Sequence, residues 1–252
     1  MLLFPKFISC AFHREVSVSP KRLSIFSRNT ILLLFLVSFS ACATAQRPLT
    51  GIVPGREVET LQSSIGITAK SGERSTGGRG FLIFKQPDRF HMAVLSPFGL
   101  TVLEVFSDTD RLTCLIPSRQ IAYSGLLSEL PETSALKGLG MMKWVVAAPP
   151  PAEGVSARSR ELTTASGDRF FFDDNGLVQR KVSKQGDEVI YHDYRNVNGV
   201  AFPESIVIGS SFGATVKITF EEPEINQPVE DSAVTPILEG FTILPLADFK
   251  GF

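Results

Sequence analysis

Cysteine, histidine and tryptophan are scarce in this chain, and basic charge is not in excess. Among 252 residues there are three Cys, three His and one Trp. Cys10 precedes an apolar segment and Cys42 closes it, so only Cys114 lies in the body of the chain, which excludes an internal disulfide there. Within the strand-like run Leu112–Ile116, Cys114 reads as a small buried hydrophobe. Past Cys42 the histidines are His91 and His192, too few to build a metal cluster. Each reads as a half-exposed strand residue, and His192 and Asp193, as strand neighbours, point to opposite faces. Ser124 and Ser211 lack a nucleophile-elbow context. Gly77-Gly78-Arg79-Gly80 is not followed by a helix and so is no phosphate loop. Asp108, Asp110 and Asp173-Asp174 read as turn-capping carboxylates, and Glu221, Glu222 and Glu224 as a solvated edge. No enzyme, cofactor or metal site is expected.

The chain has 25 basic and 26 acidic residues, of which five bases and one acid precede Cys42. The remaining 210 residues carry 20 bases and 25 acids, a formal charge of −5. A mildly acidic domain without a basic stripe is a poor nucleic-acid binder. What the chain has in quantity is phenylalanine: 20 Phe against three Tyr. This implies a large apolar interior with few polar handles.

Residues 1–29 are basic, Ile31–Val37 is apolar, and Ser38-Phe39-Ser40-Ala41 leads into Cys42. That is the anatomy of a secretory signal, and the uncharged run Asn29–Ala45 is too short for a transmembrane helix. The small residues before Cys42 resemble a bacterial lipobox, which implies cleavage and lipidation at Cys42. Phe39 stands where such motifs prefer Leu, and the competing reading is cleavage near Ala45 with release of a periplasmic protein. Ala43, in place of Asp, favours the outer membrane by the same resemblance. Residues 1–42 are thus read as signal peptide with lipobox, 43–60 as a tether and 61–252 as the folded domain. Val58–Leu61 is read as a short helix.

Aromatic and β-branched runs cut by Gly, Pro and Asp predict a meander. Its strands are Ile65–Lys70, Gly80–Lys85, Phe90–Leu95, Thr101–Phe106, Arg111–Ile116 and Gln120–Tyr123, with Glu73–Arg79 as a mobile turn. Strands resume over 159–164, 168–172, 177–184, 188–195, 205–209 and 214–220, and Phe241–Leu244 is either a last strand or a loop. Between the two series, Leu136, Leu139, Met141, Met142 and Trp144 fall at helical spacing, ended by Pro149-Pro150-Pro151. The fold class is mainly β with a helical lid over 126–148 (α+β). Its sheet is a curled antiparallel one, or a half-open β-barrel, of about eleven strands. Early strands are apolar on both faces, as with Phe81 and Ile83 against Leu82 and Phe84, which fits a sheet wrapped around a hollow; a closed sandwich core is the alternative. The anomaly is Phe98, an apolar residue at the tip of the turn Pro97-Phe98-Gly99-Leu100, where polar residues are the norm.

Over Asp88–Phe106 and Leu136–Pro149, and at the lipobox, the sequence resembles the LolA/LolB-like lipoprotein-localisation superfamily, above all the outer-membrane lipoprotein receptors. Ser96-Pro97-Phe98-Gly99 matches that family's Asn/Ser-Pro-apolar-Gly loop, and Trp144 and Pro149 its helix-then-break pattern. The resemblance implies a half-barrel lidded by helices that shields acyl chains, and a protruding loop, here Phe98, that assists transfer into the membrane. The implied partners are lipid acyl chains or lipoproteins and, through a lipid anchor, the outer membrane; a monomer is expected. The cavity is expected to be lined by Phe81, Ile83, Met92, Val94, Val105, Leu139 and Trp144. The alternative is a non-enzymatic scaffold lipoprotein presenting a sheet edge or the Phe98 loop to another protein. The pattern between Leu130 and Trp144 departs from the family, and the tail past Phe220 is longer.

Overall fold

The computed structural model describes residues 49–130, 134–147, 160–211 and 213–250. The chain divides into two units, Met1–Arg47 and Pro48–Phe252, and all described residues belong to the second. The signal peptide, the lipobox and Cys42 lie outside the described residues.

Thirteen strands form one sheet. The first six are β1 (Thr60–Ser71), β2 (Arg74–Lys85), β3 (Arg89–Leu95), β4 (Thr101–Asp108), β5 (Arg111–Ile116) and β6 (Ile121–Leu126). The second six are β7 (Glu161–Thr163), β8 (Arg169–Phe172), β9 (Val178–Val182), β10 (Glu188–Val197), β11 (Val200–Gly209) and β12 (Thr215–Ile225), with β13 at Thr242–Pro245. Each series is an antiparallel meander, and the two meet where β1 pairs with β12, Ile65 opposite Phe220. The spatial order runs from β13 and β6 through β1 and β12 to β7, so the sheet has two free edges and is not a closed barrel.

The curl follows from what the sheet encloses. One continuous core joins Leu112 and Cys114 of β5 to Phe170 and Phe172 of β8, on the far side of the strand order. Leu61, Leu82, Phe84, Phe90, Met92 and Val105 belong to it, all 1% exposed or less. Two short helices between β6 and β7 complete it: α1 (Ala135–Gly140) and α2 (Met142–Val146). Ser134 caps α1, its Oγ accepting from the Leu136 N–H at 3.3 Å. Leu136, Leu139, Met142 and Val145 are buried in the same core as the sheet residues.

Several sequence expectations are corrected. The sheet has thirteen strands, not about eleven, and it is not wholly antiparallel, because β13 runs parallel to β6. Residues 74–79, expected as a mobile turn, continue β2 down to the tight turn before Arg74. Thr60 and Leu61, expected as helix, open β1, where Leu61 pairs with both Phe84 and Ile225. Glu221, Glu222 and Glu224 are exposed at the end of β12, past Thr219, where its pairing with β11 stops and its pairing with β1 continues. The helical stretch is not one lid but two helices of six and five residues, whose apolar side chains are part of the core.

Candidate functional site

The turn between β3 and β4 is built by its own residues. Ser96 donates its N–H to the Leu100 carbonyl at 2.8 Å, and Gly99 donates to the Ser96 carbonyl at 2.9 Å. The Ser96 hydroxyl accepts from the Leu100 N–H at 3.1 Å. Ser first, Pro second and Gly fourth is the sequence that a tight turn favours. Gly99 is left-handed, at φ +79°, a conformation that costs other residues more. Pinned this way, the turn leaves Phe98 91% exposed and Leu100 69% exposed. Phe98 does not fold back onto the sheet. Burying a Phe side chain contributes about 1.5–3 kcal/mol, so this turn withholds that amount from the fold.

The seven residues expected to line a cavity do not share one face. Met92 and Val105 are buried on the core face with Leu139, and Val94 and Trp144 pack against the same core. Phe81 and Ile83 lie on the other face. The β2–β3 register sets Leu82 opposite Met92, Phe81 opposite Ala93 and Ile83 opposite His91, and side chains alternate along a strand. Both faces of β2 are apolar, so composition alone did not tell them apart.

The core face carries a polar device that sequence reading missed. Lys181 of β9 is 2% exposed. Its Nζ donates to the carbonyls of Trp144 at 2.9 Å, Val145 at 3.2 Å and Ala147 at 2.7 Å. The Tyr191 hydroxyl donates to the Val145 carbonyl at 2.7 Å. These groups satisfy the carbonyls that the end of α2 leaves unpaired. Burial pushes the Lys181 ammonium down to about 7 and the Tyr191 phenol well up. Alternation hides Lys181, because Val178, three residues away, faces the same core. The register between β8 and β9 shifts between Phe171 and Phe172, leaving Gln179 as an extra residue in β9, and so both Val178 and Lys181 turn inward.

The opposite face is covered by the first part of the tail, residues 226–241, which crosses β2, β3 and β4 as a strap; past β13 the tail turns to the core face, where Leu246 and Phe249 are buried. Asp231 accepts from Lys85 at 2.6 Å and Arg89 at 3.0 Å, which hold its carboxyl below the usual range. His91, expected half-exposed, is buried beneath the strap. Its Nδ1 lies 3.0 Å from the Ala233 carbonyl, its Nε2 lies 3.1 Å from Glu104 Oε2, and its ring stacks on Phe106 at 4.0 Å. Burial lowers its pKa; the Ala233 carbonyl and Glu104 oppose that. Phe81, Ile83, Phe106, Leu115 and Phe241 line a cleft of about 440 Å³ beside it. Cys114 is wholly buried, and desolvation pushes its thiol up to about 12. Among the described residues, no three His, Cys, Asp or Glu side chains are grouped to hold a metal. No described helix is long and apolar enough to cross a membrane.

Residues 60–222 match the family described as outer membrane lipoprotein LolB. The chain belongs to that family. The match ends at residue 222, within β12, so the whole strap lies beyond it. No curated protein matches the chain. Among solved structures, it is similar to a LolA superfamily protein from Nitrosomonas europaea, at 11% identity and TM-score 0.44, covering 73% of this chain and 92% of that one. Another is a DUF1329 family protein from Desulfovibrio piger, at 9% identity and TM-score 0.43, covering 71% and 92%. The LolB family assignment carries with it a lipoprotein-localisation fold.

Proposed function

We propose that this protein is a lipoprotein anchored at Cys42 in the outer membrane, which binds acyl chains or lipoproteins and assists their placement in the membrane. The observation that carries this reading is Phe98, held 91% exposed on a turn fixed by three hydrogen bonds. Exposing a large aromatic on a rigid turn disfavours solubility unless an apolar environment receives it. Membership of the LolB family supplies the class of cargo.

Acyl chains would be sheltered on the core face, where Met92, Val94, Val105, Leu139 and Trp144 gather. Burial supplies the binding energy, at about 25 cal/mol per Å² of apolar surface. Because α1 and α2 seat their side chains in that face, loading requires them to lift away. The cargo then displaces Leu139 and Val145 from their contacts, and binding is an exchange of one apolar packing for another.

Phe98→Glu tests the reading. Transfer of a lipidated cargo into vesicles should fall at least tenfold, with thermal stability unchanged. Retention of transfer would overturn it, and capture of a stoichiometric protein partner without lipid would point to a scaffold instead.

A further inference from the structure

Phe98 is one member of a larger apolar corner. Seven large hydrophobic residues are exposed among the described residues: Val53, Phe98, Leu100, Val102, Leu126, Ile237 and Ile243. Five of them belong to the β3–β4 turn or to the strap-covered face, and Leu126 lies at the far end of that same face. Val102 has the parity of Phe106, which packs on that face with Leu115 and Ala122. Ile243 is paired with Ala122 and so shares its side. Ile237 lies at the rim of the cleft. Arg79, with its side chain 81% exposed, sits on the same parity as Phe81, opposite the last residue of β3, and is paired only loosely with Glu221 at 3.6 Å. Arg119, also exposed, is in the turn after β5.

The connection to Cys42 indicates what this corner meets. The chain joins the sheet at its opposite end. The Val53 N–H donates to the Gly199 carbonyl at 2.8 Å, and Asn196 donates to the Thr50 carbonyl at 2.7 Å, both at the β10–β11 turn. From Thr60 the sheet climbs six residues to Gly66, level with Arg79 and Leu95, or ~20 Å, before the Phe98 turn begins. Cys42 and Thr50 are eight residues apart, a span of at most ~28 Å. A domain standing on its tip would use nearly all of that span. A domain lying on its strap-covered face brings both ends to one surface without it.

Resting on the membrane role proposed for Phe98, we infer that the domain reclines. Its strap-covered face meets the anchoring bilayer, with Leu100, Val102, Ile237 and Ile243 entering the interface beside Phe98. Arg79 and Arg119 flank that patch, offset by the exposed strap acids Asp231 and Glu239, so the apolar side chains carry the docking. The surface is a docking site for lipid, separate from the core face that would hold cargo, and it uses a tail that lies beyond the family match.

The test uses the mature, lipidated chain in vesicles of phosphatidylcholine and phosphatidylglycerol. A polarity-sensitive fluorophore is attached through Phe98→Cys, Ile237→Cys, Ile243→Cys or, as a control in the exposed β8–β9 turn on the far side of the strand order, Asn175→Cys. Cys114, wholly buried, stays unlabelled. Labels at 98, 237 and 243 should shift to the blue and resist aqueous iodide, and the label at 175 should not. A dry 98 with wet 237 and 243 overturns the reclining arrangement and leaves the tip role standing; a wet 98 overturns both. A dry 175 as well would mean unspecific adsorption and also overturns it. In a double variant, Ile237→Glu with Ile243→Glu, iodide access to the label at 98 should rise at least threefold. Both positions are exposed, so folding should be retained.

Discussion

The Lys181 ammonium donates to the Ala147 carbonyl at 2.7 Å, tying the end of α2 to β9 in the second meander. A buried cation thus holds the helical segment to the sheet. Its pKa is about 7 in the fold against an ordinary 10.5. Between those values the unfolded chain binds more protons than the folded one, so stability rises as pH rises from 7 to 10.5 and is flat below 7 with respect to this group. The ceiling on that effect is ~5 kcal/mol, from the free energy of a pKa unit, and the three carbonyls favour the charged form and reduce it. Urea unfolding at pH 6.5 and 9.5 should show the higher midpoint at pH 9.5. Lys181→Met should flatten that difference and, by leaving three carbonyls without their donor, cost about 1–3 kcal/mol. An unchanged pH slope in the variant would remove Lys181 as its source.

Strand existence was legible in the sequence and facing was not. Phe90–Leu95 and Thr101–Phe106 were read from their β-branched and aromatic runs and stand as β3 and β4. In β2, by contrast, Phe81 and Leu82 are equally apolar, and only the register with Ala93 and Met92 separates the strap side from the core side. Lys181 was hidden by a bulge, which leaves no mark in alternation. His91 was misread because its cover comes from Ala233, 142 residues away. Phe98 was conspicuous for the opposite reason: Ser, Pro and Gly around it specify the turn locally, with no tertiary partner needed.

Gly80 should be irreplaceable in β2. A Cβ added there would overlap the Ala93 carbonyl across the β2–β3 pair. Backbone cannot swing aside as a side chain can, so the strands must part. Gly80→Ala should destabilise the domain by about 3 kcal/mol, at the upper end for overpacking. Gly99→Ala, by comparison, meets no atom within 4 Å and carries only the cost of its positive φ, about 1 kcal/mol. Thermal unfolding of both variants should rank them in that order, and equal losses would mean that strand spacing in β2 relaxes freely.

The cargo reading makes a mechanical demand on α1, and that demand can be blocked. A Cβ at Gly138 would lie 3.5 Å from Ile208 Cγ2 of β11, ordinary contact distance. The pair Gly138→Cys and Ile208→Cys therefore brings two thiols into reach across the helix–sheet contact. Oxidised, the bond pins α1 to the core face; reduced, the helix is free again. Cys114 is buried and its thiol is held far from ionisation, so it should not compete for the new disulfide. Uptake of an acyl-chain fluorophore by the oxidised variant should fall at least tenfold and return with dithiothreitol. If the oxidised protein loads as well as the reduced one, the chains do not enter beneath α1. The 440 Å³ cleft under the strap, which the lock leaves untouched, then becomes the place to look.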